Sequence, residues 1–508
     1  MEKVEDKAIN TSVEEELHSS PFLKNIAIPV GLFLFSFLER VFFILGNLDR
    51  KYPFSVFYYG DAMKYHDYAI SLMKGALYDN GIPYHPPFFA WVMAGIYYLM
   101  GTPGQWAFSG IPYKIVYALI NSCVCVLLYY LALQFAQKKV AIIICLLFSL
   151  SFGMCVLSAT PNNENVYLLI LTAMLLIAVK NRVLNSYKIA VVLGILMGTG
   201  ALTRAEHLVF LPFLLLYFYI NKEKPLRQSQ KYYVVIVLFT FLTLAPWMAR
   251  NYIIISSFNA HYSTGNLELM SPFVLVTNYG PVNFVMANNQ TAQGGFSREI
   301  LNTLSGEASL NLNNSQHRHY FIHGYREGIK WILQNPADYL WLCIKKVSIS
   351  LDAMALGFTS WDVPSGLNGL RRAVDVFAPH NNWFKYPFTL LVIAGFIFSL
   401  LKDFRKNILF HFVVVHKIIV ILLFYGYVRQ ILSIYVVILI FAGFVFEKLK
   451  PKMIKMLLIV IVVGALIGCI YDGVTVANPK NYTVSGSSDP VTGYIIQDAK
   501  MEIMLKKQ

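Results

Sequence analysis

The chain has 508 residues, 56% of them hydrophobic and only 14% charged, against roughly 25% charged in an ordinary soluble domain. With a mean hydropathy of +0.53, a cytosolic globular enzyme is excluded. The formal charge of +14, from 42 Lys and Arg against 28 Asp and Glu, marks basic loops beside lipid headgroups in so apolar a chain, and no nucleic-acid partner is expected.

The polar, acidic opening MEKVEDKAINTSVEEELHSS lacks the basic start and cleavage site of a signal peptide, so the first apolar run is expected to stay as a membrane helix. Runs long enough to cross about 30 Å of hydrocarbon as helices lie near 25–46, 111–135, 140–158, 165–180, 188–203, 206–221, 231–250, 385–401, 408–426, 430–447 and 453–471. They predict about eleven crossings in an all-α, polytopic integral membrane protein. The connections that carry Lys138 and Lys139, Lys180 and Arg182, Lys222 and Arg227, Lys402 and Arg405, and Lys448 and Lys450 fall on one side, which the positive-inside bias makes cytoplasmic. The resulting division is a cytoplasmic tail over 1–24, a transmembrane catalytic module over 25–250 with a first outer loop over 47–110, an extracytoplasmic region over 251–384, further transmembrane helices over 385–471, and an extracytoplasmic tail over 472–508.

Within this frame, the stretch from Phe88 to Met100 follows Pro86-Pro87 and is too short for a crossing, which suits a re-entrant or interfacial helix. The run from Tyr339 to Met354 carries Lys345 and Lys346 at its middle and reads as an interfacial helix with snorkelling lysines. Gly194 and Gly198 are spaced for close helix packing. Cys123, Cys125, Cys145, Cys155, Cys343 and Cys469 show no paired loop spacing, so neither disulfides nor a zinc knuckle is implied.

The chemistry is sought on the outer side. Asp61 opens an amphipathic helix in which Tyr65, Tyr68, Ala69 and Leu72 recur at helical spacing; it serves either as a helix cap or as a catalytic base. Glu164 immediately precedes an apolar helix, where an unpaired acid is costly; it is either a first-turn carboxylate favoured by the helix dipole or a functional group. Arg204, Arg250 and Arg429 stand at predicted outer helix ends, against the charge bias. They suit a phosphate at the membrane surface, or else they anchor the interface, with Arg204 and Glu206 as a local ion pair. His317, His319 and His323 in HRHYFIH share helix faces, but no cysteine or acid at a tight ligand spacing accompanies them, so no metal is assigned. Asn289, Asn313 and Asn481 fit the glycosylation acceptor pattern, which arises easily by chance in Asn-rich loops.

The ordered segments GDAMKYHDYAISLMKG, HPPFFAWVMAGIYYLMG, ATPNNENVYLLILTAML, GTGALTRAEHLVFLPFLLLY, APWMARNYIIISSFNAHYSTGNLELM, NYGPVNFVMANNQTAQGGF and YREGIKWILQNPADYLWLCIKK resemble the GT-C superfamily of polyprenyl-phosphate-sugar-dependent glycosyltransferases. The likeness is to the branch related to protein O-mannosyltransferases and the lipid A aminoarabinose transferase. It runs from about residue 25 to 450 and implies a GT-C-like bundle with interfacial helices and an extracytoplasmic loop region. Gln430, Leu432 and Ser433 depart from the family's usual Tyr, Arg and Pro-rich step after Arg429, and Asp61 is followed by Ala62 where several relatives carry an Asp-Glu pair.

What the resemblance implies is an inverting transfer of a sugar from a polyprenyl-phosphate donor to a lipid, glycan or protein acceptor, on the outer face of a bacterial inner membrane. Asp61 would be the base. Arg204, Arg250 and Lys346 would hold the phosphate, with His85 in a weaker role and Lys345 or Arg429 as substitutes. Glu164 would orient the acceptor or Asp61, or hold a divalent cation if one is used; no other cofactor is implied. Competing readings are a lipid-linked-sugar flippase, for which no inverted repeat is visible, and an O-antigen ligase or polymerase.

Overall fold

The computed structural model describes residues 21–46, 60–76, 78–102, 110–159, 161–223, 225–262, 268–301, 310, 312–355, 382–402 and 404–448. All regular structure among them is helical. In chain order the α-helices are α1 (Pro21–Gly46), α2 (Gly60–Met73), α3 (Phe88–Met100), α4 (Ile111–Ala132), α5 (Lys138–Leu150), α6 (Phe152–Ser158), α7 (Asn163–Lys180), α8 (Tyr187–Thr203), α9 (Leu211–Ile220), α10 (Leu226–Tyr262), α11 (Gly280–Ala287), α12 (Ser315–Gln334), α13 (Pro336–Leu351), α14 (Asn382–Leu401), α15 (Phe404–Leu423), α16 (Val428–Leu432) and α17 (Tyr435–Lys448).

Among the described residues, five segments are long and apolar enough to cross a membrane: Ile26–Leu45, Ile111–Ala132, Asn163–Lys180, Leu226–Ala260 and Phe404–Leu423. Shorter apolar helices cover Phe88–Met100, Tyr187–Thr203, Ala205–Ile220, Pro387–Leu401 and Tyr435–Glu447. The expected crossing at 453–471 and the tails lie outside the described residues. The chain is thus a polytopic membrane protein, all-helical among the described residues. Helix ends follow local chemistry: Pro112 and Pro212 start α4 and α9, where a missing N–H costs nothing. The Ser186 side chain caps α8, and the Asn314 side chain accepts from the N–H groups of Gln316 and His317 to cap α12.

Packing joins the two halves of the chain. α1 lies on α4, α4 on α7, α7 on α8 and α8 on α10, while α14 and α17 pair and α17 closes against α5. Phe43, Tyr129, Ile144, Leu175, Phe210, Phe410 and Phe441 share one core cluster. The α8–α10 contact is the close approach expected of Gly194 and Gly198: an added Cβ would lie 2.6 Å from the Ile236 carbonyl oxygen at Gly194 and 2.6 Å from Thr243 Cβ at Gly198. Gly198→Val is therefore expected to destabilise by about 1–3 kcal/mol through overpacking. Gly31→Ala, where nothing stands within 4 Å, should leave the melting temperature unchanged or raised; thermal unfolding in detergent compares them.

Several expected spans differ from the structure. The run near 140–158 is broken at Ser151, which is extended. The carbonyl of Ser149 is taken by the Arg40 guanidinium at 3.4 Å and the Cys155 thiol at 3.6 Å, so one distant and one local buried donor compensate the break. The run near 430–447 is likewise split into α16 and α17, and α10 continues well past residue 250. Arg40 is fully buried in α1. It donates to Asn121 Oδ1 at 2.7 and 2.9 Å and to Ser36 Oγ at 2.7 Å, and pairs with Glu39 at 3.3 Å. Asn121 passes the chain on to Asn165 Oδ1 at 3.0 Å. An intramembrane charge is tolerated only with such partners, and this chain fixes α7, whose first turn carries Glu164.

Candidate active site

The described residues after α1 form α2, a short 3₁₀ turn (Tyr78–Gly81) and α3. Tyr65, Tyr68 and Ala69 are buried as their spacing predicts. Tyr68 packs at a tilt against Tyr78 with centroids 4.7 Å apart, and its hydroxyl meets His85 Nδ1 at 2.9 Å. This aromatic bed presents two groups at the surface: His85 Nε2 lies 3.8 Å from Asp61 Oδ1. Asp61 sits within the first turn of α2, where the helix dipole favours a carboxylate.

From Asp61 a chain of alternating charges runs inward. Arg429, at the start of α16, donates through Nη1 to Asp61 Oδ2 at 3.1 Å and through Nε to Glu164 Oε1 at 2.7 Å. Glu164 Oε1 also meets Arg204 Nη1 at 2.5 Å. Arg204 Nε reaches Glu206 Oε1 at 2.8 Å, and Lys417 Nζ closes on the same oxygen at 3.0 Å. Three carboxylates thus face three cations, and residues 368 positions apart meet in one cluster. Asn163 binds the elements together: its Nδ2 donates to the Tyr65 hydroxyl and the Thr203 carbonyl, each at 3.1 Å, and its Oδ1 accepts from Arg429 Nη2 at 3.2 Å. Gln430 Oε1 accepts from Lys417 at 3.1 Å and from Arg204 Nη2 at 3.4 Å.

Exposure divides the cluster by role. The Asp61 side chain is 31% exposed and that of Glu164 0%, so Asp61 is the carboxylate a substrate can reach and Glu164 is the buried post that fixes Arg429. Glu164 stands at one end of α7 and Lys180 at the other, roughly 24 Å apart by helical rise. The cluster therefore occupies the helix end opposite the basic connections. A divalent cation held by Asp61 and Glu164 together would have to displace the Arg429 guanidinium.

The structure separates the remaining expected residues. Arg204 is nearly buried and bonded to two carboxylates, and it lies over the Tyr167 ring at 5.6 Å. Arg250 donates to the carbonyls of Tyr78 at 2.9 Å and Gly81 at 3.1 Å and stacks 4.8 Å over Trp247, so it ties the Tyr78–Gly81 turn to α10. Lys345 Nζ meets Gln293 Oε1 at 3.1 Å. Lys346 corrects the snorkelling expectation: it is buried, and its ammonium donates to Asn288 Oδ1 at 2.8 Å and the Leu422 carbonyl at 2.9 Å. These acceptors replace the water it would otherwise seek. They also place it under the loop that leads to Arg429, where Gly426 N–H donates to the Gly294 carbonyl at 2.8 Å and a Cβ on Gly426 would stand 2.1 Å from the Lys346 carbonyl oxygen.

Burial pushes the Lys346 ammonium down from 10.5 to about 8. Between those values the unfolded chain holds a proton that the folded chain has released. Stability is expected to rise as pH climbs through this window and to be lost again as pH falls through about 8. Lys346→Met should flatten that dependence, measured by thermal unfolding across pH.

The sequence reading missed Lys417, Gln430 and Asn163. A single lysine inside an apolar run is the signal that marks Lys417. Of the glycosylation patterns, Asn289 is buried, its amide donates to Val285 and Met286 carbonyls at 2.8 and 2.9 Å, and Thr291 Oγ1 donates to its Oδ1 at 2.7 Å. Its side chain is committed to the fold. Asn481 lies outside the described residues.

A helical membrane bundle that gathers acids and arginines at one end of its helices is the class of protein defined so far. Residues 84–249 match the family described as dolichyl-phosphate-mannose-protein mannosyltransferase. The matched stretch contains His85, Glu164 and Arg204 and leaves out Asp61, Arg250, Lys346 and Arg429. No curated protein matches the chain. Among solved structures, the S. cerevisiae protein O-mannosyltransferase Pmt1-Pmt2 complex bound to the sugar donor is 16% identical over 55% of this chain and 39% of that one, with a TM-score of 0.36. The oligosaccharyltransferase AglB from Archaeoglobus fulgidus, in complex with an inhibitory peptide and a dolichol-phosphate, is 14% identical over 89% of this chain and 56% of that one, with a TM-score of 0.46. The chain thus spans less than two thirds of the length of either.

Proposed function

We propose that this protein transfers a sugar, with inversion, from a polyprenyl-phosphate-linked donor to a lipid, glycan or protein acceptor on the extracytoplasmic face of a bacterial inner membrane. The observation that carries the proposal is the accessible Asp61 carboxylate, held beside Arg429 and His85 at the surface end of a buried ion chain. Asp61 takes the proton of the acceptor hydroxyl as its oxygen bonds to the anomeric carbon. The bond from that carbon to the phosphate oxygen breaks, and the electron pair leaves with polyprenyl phosphate. That leaving group needs no proton, only stabilisation of its charge, which a guanidinium supplies through paired N–H donors.

Arg429 fills this role better than Arg204, because its side chain is 17% exposed and adjoins the accessible Asp61, whereas that of Arg204 is 9% exposed and lies deeper in the ion chain. Arg204 and Glu164 position Arg429, and Arg250 positions the loop that carries His85. Placement of the cluster opposite the basic helix ends supports the extracytoplasmic assignment.

The test is transfer in proteoliposomes supplied with polyprenyl monophosphate sugars and, separately, with polyprenyl diphosphate sugars. Turnover of a monophosphate donor with inverted anomeric configuration in the product is expected. Turnover of diphosphate donors alone, or retention of configuration, would refute the assignment.

A further inference from the structure

We infer that Glu268, His319 and His323 form a binding site for a zinc-class divalent cation, remote in sequence from the acid and arginine cluster and independent of the proposed transfer. His319 and His323 lie one turn apart on α12, their rings 4.9 Å apart between centroids. The fold brings to them an acid that the sequence places far away. Glu268 Oε1 contacts His323 Nε2, and its Oε2 lies 4.0 Å from His319 Nδ1. One ligand atom from each of the three residues falls within 4.8 Å of the others. Zinc bonded at about 2.0–2.2 Å needs ligand atoms some 3.4 Å apart. The remaining gap closes by rotating side chains that are half-exposed or exposed.

Two further features separate this site from a chance surface pair. The first is an orienting carboxylate: Glu327, one turn beyond His323, lies 3.4 Å from His319 Nε2. With Nε2–H donated to Glu327, the lone pair of Nδ1 faces Glu268, the tautomer that a metal requires, and such acid–histidine–metal relays are the usual second layer of zinc sites. The second is that the Glu268 backbone is fixed at its carbonyl and just beyond it. Arg318 Nε donates to its carbonyl at 2.5 Å. Two residues on, Met270 is clamped by Asn259 of α10 through bonds of 2.6 and 3.0 Å.

Two imidazoles and a carboxylate suit zinc better than magnesium or calcium, which prefer all-oxygen shells. Three protein ligands leave a fourth position for water. The ion would staple the segment after α10 to α12. The opposite face of α12 packs through Phe321 into a cluster with Ile82 and Tyr425, so the staple would stiffen the cap over the outer loop.

The experiment uses the full chain in detergent, freed of affinity tag and stripped with a chelator, titrated with zinc chloride by calorimetry and followed by thermal unfolding. Wild type should bind one equivalent saturably and melt at a higher temperature with zinc. His319→Ala and His323→Ala should abolish saturable binding, and Glu268→Gln should weaken it at least about 10-fold. Glu327→Ala should weaken it about 10-fold to 100-fold. Each variant's melting temperature without zinc should match wild type, because none of these side chains is buried. Absence of saturable binding in wild type overturns the inference. So does undiminished binding in Glu268→Gln, which would reduce the site to a bare pair of helix histidines.

Discussion

Asp61→Asn is expected to lower sugar transfer by about 10²-fold to 10⁴-fold, the range for loss of a general base, while the protein folds and inserts normally. Asparagine keeps the shape and the capacity to cap α2. It cannot take the acceptor proton, and it weakens the hold on Arg429, whose Nη1 lies 3.1 Å from Asp61 Oδ2. Asp61→Glu should recover part of the activity, since a carboxylate returns one methylene out of place. Near-normal transfer by a well-expressed Asp61→Asn protein would leave this side chain only a capping role.

The second large effect is on stability. Arg204→Gln removes the cation shared by Glu164 and Glu206, and stripping one partner from a buried pair costs about 3–5 kcal/mol. Thermal unfolding in detergent should show a large drop in melting temperature. Arg204→Lys should recover only part of it, because one ammonium cannot reproduce the guanidinium fork that spans Glu164, Glu206 and Gln430. If Arg204→Gln instead melts like wild type and weakens only donor affinity, Arg204 is a phosphate ligand and the positioning role is wrong.

The fold was legible where length and apolarity alone decide it. The runs near 25–46, 111–135 and 165–180 correspond to α1, α4 and α7 within a few residues, because a continuous apolar stretch has no other way to satisfy its backbone in lipid. The break at Ser151 was not legible, since it depends on Arg40 reaching the freed Ser149 carbonyl from another helix, beside the nearby Cys155 thiol. The same holds for the site. Asp61 stood out at the start of an amphipathic helix and Glu164 before an apolar one, yet nothing local tells that Arg429 bridges them. Lys346 carried a charge in an apolar run like any snorkelling lysine, and only the position of Asn288 and Leu422 turns it inward. His319 and His323 were visible as a pair, but the acid that completes their constellation comes from a loop some fifty residues earlier.

The most direct measurement of the central claim is mass spectrometry of glycolipids and glycoproteins from cells that lack this protein, complemented with wild type or with Asp61→Asn. The account predicts that one glycosylated species disappears without the protein, returns with wild type and stays absent with Asp61→Asn, while a polyprenyl-phosphate sugar accumulates in both deficient strains. An unchanged set of glycolipids and glycoproteins in all three strains, or full restoration by Asp61→Asn, would contradict it.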